Sequence, residues 1–215
     1  FFERAVHVKK GDGSLKNYAI HAPKISVPFY LPNFALNKYS MGIYNKLRFA
    51  AVSENPKSSI KNFDGFFHPL DAIDNWNKLY GKRGFLQYQY LVPEGKDAVE
   101  NMRKILKMIQ DKGLFSFLAV IKYHGPHEGM MSFCKDGFSI AMDFSNTPEV
   151  HALLDEIDEF LCTIGGRVYL AKDARLKPAA FERMYEEALP EWRKILKQVD
   201  PKGKIRSSMA RRLGF

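Results

Sequence analysis

Gln87 and Gln89 place two side-chain amides two residues apart in Arg83-Gly84-Phe85-Leu86-Gln87-Tyr88-Gln89-Tyr90-Leu91-Val92, a segment that is otherwise largely aromatic and aliphatic. On a strand, alternation sets both amides on one face about 7 Å apart and turns Leu86, Tyr88, Tyr90 and Val92 to the other. An amide buried without partners costs roughly 1–3 kcal/mol, so the pair predicts a ligand, ordered water or a polar network on that face. A purely structural network is the competing reading.

The same alternation recruits further groups. A strand at 137–144 puts Phe138, Ile140, Met142 and Phe144 on one face and Ser139, Ala141 and Asp143 on the other. A strand at 115–123 sets Phe117, Ala119 and Ile121 against Ser116 and Lys122, although Leu118 and Val120 dilute the polar side. Gln87, Gln89, Lys122, Ser139 and Asp143 can thus share one surface, with Asp143 as a reserve acid or base. A further cation, Lys172, sits in Ala171-Lys172-Asp173-Ala174-Arg175. The competing reading for that run is a surface ion-pair cluster of little energetic weight.

Two other features carry less chemistry. His124-Gly125-Pro126-His127-Glu128 fits neither an HExxH helix nor a zinc ribbon and lacks a fourth ligand, so a polar loop at a sheet edge is expected and no metal site. Cys134 and Cys162 are too few for a disulfide framework; both are read as packed thiols in a reducing compartment, and neither as a nucleophile.

The elements that position these groups follow from periodicity. Residues 1–65 alternate Pro, Asn, Ser and Lys with short apolar pieces and read as an irregular lead-in of loops and short strands. Ala72 to Tyr80, carrying Trp76, is a helix or turn closed by Gly81 and Gly84. The strand at 84–92 then leads to a helix in which Val99, Met102, Ile105, Leu106 and Ile109 form the apolar stripe, ended by Gly113. The strands at 115–123 and 137–144 flank a loop over 125–135. A second helix over 147–164 has Thr147 as cap, Pro148 in its first turn and Val150, Leu153, Leu154, Ile157, Leu161 and Ile164 as stripe. A short strand at 167–170 completes β-α-β-β-α-β. The predicted fold class is therefore α+β: an antiparallel sheet with helices on one face, ferredoxin-like, plus a C-terminal helical segment. Residues 1–166 form one domain in this reading and 167–215 a separate C-terminal segment, with helices over 178–187 and 190–199 and then a basic tail.

Composition bounds the function. The chain has 215 residues, 46% hydrophobic, with a formal charge of +9 that favours anionic partners. Its basic residues concentrate only at Lys202, Lys204, Arg206, Arg211 and Arg212, and no nucleic-acid motif accompanies them. No apolar run reaches membrane-spanning length. Phe1-Phe2-Glu3-Arg4 has neither an initiator Met nor the form of a signal peptide, which predicts a piece of something longer.

Several motifs together resemble a known family. They are Phe67-His68-Pro69-Leu70-Asp71, Trp76-Asn77, Tyr80-Gly81, Arg83 to Gln89, Tyr169 to Arg175, Val199-Asp200-Pro201 and Met209-Ala210-Arg211-Arg212-Leu213. They are similar to the C-terminal half of FAD-linked oxidases of the vanillyl-alcohol-oxidase type, in the decaprenylphosphoryl-ribose oxidase-like branch. The resemblance implies that the polar sheet face roofs a flavin ring, that Gln87, Gln89, Lys122 and Ser139 bind substrate, and that Lys172 is catalytic and touches the cofactor. It implies FAD held mainly by an N-terminal domain, which Gly11-Asp12-Gly13 and Gly165-Gly166 do not replace, so that the chain alone would be inactive. The implied substrate is a sugar or lipid-linked sugar oxidised by hydride transfer, in cell-wall precursor biosynthesis. A partner reductase and peripheral membrane contact are admitted, nucleic acid is not expected, and a cytoplasmic, optionally membrane-associated location follows. Actinobacterial relatives carry Asn and Cys where this chain has Ser139 and Ala141, which admits a different pocket shape and substrate. The competing class is a ferredoxin-like, non-enzymatic module that binds an anionic ligand or RNA.

Overall fold

Alternation in the glutamine strand is realised in β3, Phe85–Pro93. The computed structural model describes residues 25–32, 35–51, 72–116, 118–127 and 129–215. Most of the lead-in, Phe67 to Asp71, Phe117 and Glu128 lie outside these residues. The chain forms two compact units, Phe1–Lys82 and Arg83–Phe215.

In the first unit, β1, Ile25–Ser26, pairs in parallel with β2, Ile73–Asp74. Helix α1, Lys38–Ala50, starts at a capping box: the Asn37 side chain accepts from the backbone of Tyr39 and Ser40, and Ser40 Oγ accepts from Asn37 N–H. A 3-10 turn spans Trp76–Tyr80.

The second unit carries the ferredoxin-like order. After β3 come α2, Ala98–Asp111; β4, Ala119–His124; β5, Gly137–Ser145; α3, Pro148–Thr163; and β6, Arg167–Val168. The sheet runs β4-β5-β3-β6 with every pair antiparallel. Register follows the pleat: Leu86, Tyr88, Tyr90 and Val92 pair with Phe144, Met142, Ile140 and Phe138, while Gln87 pairs with Asp143 and Gln89 with Ala141. The first set packs into one core with Ile105 and Ile109 of α2 and Leu153, Leu154, Ile157 and Leu161 of α3. Both helices therefore cover that face, and the glutamine side is the other one.

Three details depart from the sequence reading. Val99 is 56% exposed, because it stands at the edge of the arc that Ala98, Met102, Ile105, Leu106 and Ile109 turn to the sheet. Ile121 and Tyr123 point to the helical side yet are exposed: α2 packs on β3 and α3 on β6, which leaves the edge strand β4 uncovered. The basic tail ends in a helix and is anchored in the core. After α4, Pro178–Met184, and α5, Leu189–Val199, a further helix α6, Ser208–Leu213, buries Leu213 completely, and Phe215 stacks on Phe181 with centroids 5.3 Å apart. Residues 167–215 thus share the core of 83–166.

Gly137 opens β5 with φ +151°, and a Cβ there would lie 2.3 Å from the Val92 carbonyl oxygen. Gly137→Ala should lower stability by about 1–3 kcal/mol, read as a reduced urea midpoint at unchanged m-value.

Candidate functional site

The helix-free face of β3, β4 and β5 assembles the candidate site. Cross-strand pairing sets Lys122 opposite Ser139 and Gln87 opposite Asp143, so Gln87, Gln89, Lys122, Ser139 and Asp143 do share a face. Lys172 reaches it from a 3-10 turn, Leu170–Lys172. That turn is pinned to the sheet, since Tyr169 N–H donates to the Gln89 carbonyl at 2.8 Å and Lys172 N–H to the Tyr169 carbonyl at 3.0 Å.

The residues differ in access. Gln87 and Lys122 are exposed and Lys172 is half-buried, whereas Gln89, Ser139 and Asp143 are buried. The face is therefore open at one end and roofed at the other. Over the roofed end, Phe133, in the loop between β4 and β5, packs on Tyr169 at 4.8 Å and edge-on to His124 at 5.9 Å. Arg167 fixes this loop by donating to the carbonyls of Ser132 at 2.8 Å and Met184 at 3.0 Å. Ser139, expected to touch substrate, is committed inside the protein: Gln89 Nε2 donates to its Oγ at 3.1 Å, and His124 Nε2 lies 2.7 Å away.

The open end has a distinct electrostatic character. Burial pushes the Asp143 carboxyl above its ordinary range, and Gln87 and Lys172 pull it back. Asp143 Oδ2 is buried without a hydrogen-bond partner. Partial burial and the nearby Lys122 charge pull the Lys172 ammonium below the ordinary lysine range, with Asp143 opposing. Lys172 thus stands near a second ammonium, Lys122, as well as near the Asp143 carboxyl, leaving a local positive excess that an anionic group would offset.

Behind Lys172 the polypeptide is fixed by buried charge, so Asp173 and Arg175 are structural. Asp173 Oδ1 accepts from the backbone of Arg175 at 2.9 Å and Leu176 at 2.7 Å, and its Oδ2 from Arg212 of α6 at 2.7 Å. Arg175 bridges Asp155 and Asp158, and Tyr88 donates to Asp158 at 2.7 Å. The tyrosine face of β3, the helix α3 and the tail of the chain all converge on the segment that carries Lys172.

His124 and Cys134 were the members that alternation alone underused. His124 falls two residues beyond Lys122 and so on its face; ending the strand at 123 hid it. Cys134 is half-buried, with Sγ 3.4 Å from His124 Nδ1. Among the described residues no group of three or more His, Cys, Asp and Glu side chains is arranged to hold a metal, and no helix is long and apolar enough to cross a membrane.

Residues 137–213 match the family model of D-arabinono-1,4-lactone oxidase. The chain is 38% identical over 194 residues to decaprenylphosphoryl-beta-D-ribose oxidase of Mycolicibacterium smegmatis, covering 89% of this chain and 41% of that protein. It is 30% identical over 191 residues to an uncharacterised protein of the mprA 5' region of Streptomyces coelicolor, covering 88% of this chain and 50% of that one. The chain spans half or less of the length of these curated relatives.

Proposed function

We propose, on the premise that this chain is a decaprenylphosphoryl-beta-D-ribose oxidase-like, FAD-linked oxidase chain, that its polar sheet face is the substrate side of a flavin site oxidising a sugar hydroxyl. The substrate class we favour is a lipid-linked pentose, because the similar Mycolicibacterium smegmatis protein is named for decaprenylphosphoryl ribose. The observation that carries the reading is the meeting of Gln87, Lys122, Asp143 and Lys172 on a sheet face that the helices leave free.

The donor set suits FAD. Lys172, with Lys122 near it and a single carboxyl to offset the two charges, favours an anion beside it, whether the reduced ring or a substrate phosphate. FAD, held mainly by an N-terminal domain, would supply the hydride acceptor. Exposed Gln87 can both donate to and accept from sugar hydroxyls, and so orients the carbinol. Lys122, exposed on β4, suits a substrate phosphate as a point charge. Lys172, on a turn pinned by the Tyr169 and Gln89 backbone bonds, would lend its positive charge to a reduced flavin beside it. A partner reductase, and contact with the membrane that holds a lipid-linked sugar, complete the proposal.

The test is anaerobic mixing of the flavin-loaded enzyme with a polyprenylphosphoryl pentose. Bleaching of the oxidised flavin band is expected; a spectrum unchanged by every such sugar sinks the reading. Gln87→Ala should raise KM about tenfold, roughly 1–2 kcal/mol, with kcat little changed, because the amide binds ground and transition states alike. A collapse of kcat at constant KM would contradict that role. The RNA-binding alternative is not favoured: Phe133 and Tyr169, two aromatic rings over this face, pack against each other at a tilt of 34° rather than offering platforms to bases.

A further inference from the structure

Beneath the polar face runs a hydrogen-bond chain that the proposed reaction does not use. Ser139 is fully buried between Gln89 Nε2 at 3.1 Å and His124 Nε2 at 2.7 Å, and His124 Nδ1 lies 3.4 Å from Cys134 Sγ. Counting protons sets its direction. An amide nitrogen only donates, so Ser139 Oγ accepts from Gln89; the hydroxyl is fully buried, and we assign its proton to His124 Nε2, the ring nitrogen 2.7 Å away. This assignment leaves Nε2 bare and puts the ring proton on Nδ1, towards the Cys134 sulfur. Phe133, edge-on at 5.9 Å, helps to fix the plane of the imidazole. With Nε2 committed inward, Oε1 is the end of the amide left to offer, through the 4% of Gln89 that stays exposed.

We propose that His124, acting through Ser139, sets which end of the Gln89 amide the polar face presents: the carbonyl oxygen while the imidazole is neutral, the amide nitrogen once it is protonated. An imidazolium donates from Nε2 to Ser139 Oγ, so the serine proton must find another acceptor. The acceptor at hand is Gln89 Oε1, which reaches Ser139 only if the amide turns over, sending Nε2 outward. The neutral state therefore accepts a bond from a sugar hydroxyl, and the charged state donates one. His124 is a positioning residue, not a catalytic one. Around it stand Lys122 on its own strand, Cys134 and Phe133 from the 125–136 loop, Ser139 from β5 and Gln89 from β3. Lys122 is the one full charge among these neighbours, and it acts with burial to hold the imidazole neutral to lower pH than usual. The inference rests on the reading of this face as the place where a sugar hydroxyl binds.

Its test needs no flavin. In the 15N-labelled full-length protein, His124 Nε2 should resonate at neutral pH as an unprotonated ring nitrogen and Nδ1 as a protonated one. On acidification the Gln89 side-chain amide signals should move with the His124 midpoint. Ser139→Thr, which keeps the hydroxyl, should retain that coupling and Ser139→Ala should abolish it. His124→Phe should leave the Gln89 signals independent of pH over the same range, which serves if the serine variant fails to fold. A proton on Nε2 at neutral pH, Gln89 signals that ignore the histidine, or coupling that survives Ser139→Ala would each overturn the proposal. Absence of flavin bleaching would strike the oxidase reading while leaving these resonances as they are, so the two failures are distinguishable.

Discussion

Lys172→Ala in the flavin-loaded enzyme should slow flavin reduction by the sugar about 10²–10³-fold, the usual loss when one preorganised donor to a developing negative charge is removed. Substrate affinity should change far less, since Gln87 and Lys122 remain. The pH profile carries a sharper signature. The protonated form of Lys172 is the useful one, and burial together with Lys122 lowers its pKa. The unmutated rate should therefore fall as pH rises, along a limb that begins below the ordinary lysine range. Lys172→Ala should lose that limb, and Lys172→Arg should push it out of the accessible range. Asp143→Asn should move it to lower pH, because Asp143 is the group that opposes the depression. Unchanged flavin reduction in Lys172→Ala would remove the assigned role.

The strand alternation was legible because a half-buried antiparallel sheet enforces period two. Leu86, Tyr88, Tyr90 and Val92 had to share a face whatever lay around them, and the two helical stripes said which face. What alternation could not report is which parts of the other face the loops cover. The 125–136 loop returns over the sheet and buries Ser139 and Gln89, and that placement depends on Arg167 contacts 35 and 17 residues away in sequence. The same limit applies to the tail. Lys202 to Arg212 carries a solvated charge pattern, yet Arg212 reaches back 39 residues to Asp173, and Leu213 fills the core. Long-range pairing of an arginine with a single buried carboxylate leaves no periodic trace.

Arg175→Met should be the most destabilising single change in the scaffold behind the site, at about 3–5 kcal/mol. Asp158 is 2% exposed and rests on two partners: the Tyr88 hydroxyl at 2.7 Å and the Arg175 guanidinium at 2.5 Å. Removing the guanidinium leaves a buried carboxylate with a single neutral donor, and the loss should appear as a lower urea midpoint. Burial already pushes the Asp158 carboxyl up to about 6 against the pull of Arg175 and Tyr88. Its unfolded value is near 3.9, so the folded state holds the proton more tightly. The group's contribution to stability is thus fullest below about pH 4 and is lost as pH rises through about 6. Without Arg175 the folded value rises further, which carries the loss to higher pH. The variant should therefore be much weaker relative to the parent at pH 7 than at pH 5. Adding Asp158→Asn should recover part of the deficit at pH 7, since the amide oxygen still accepts from Tyr88 and no charge is buried. An equal deficit at both pH values would show that lost packing of the arginine stem, not the stranded charge, dominates at this junction.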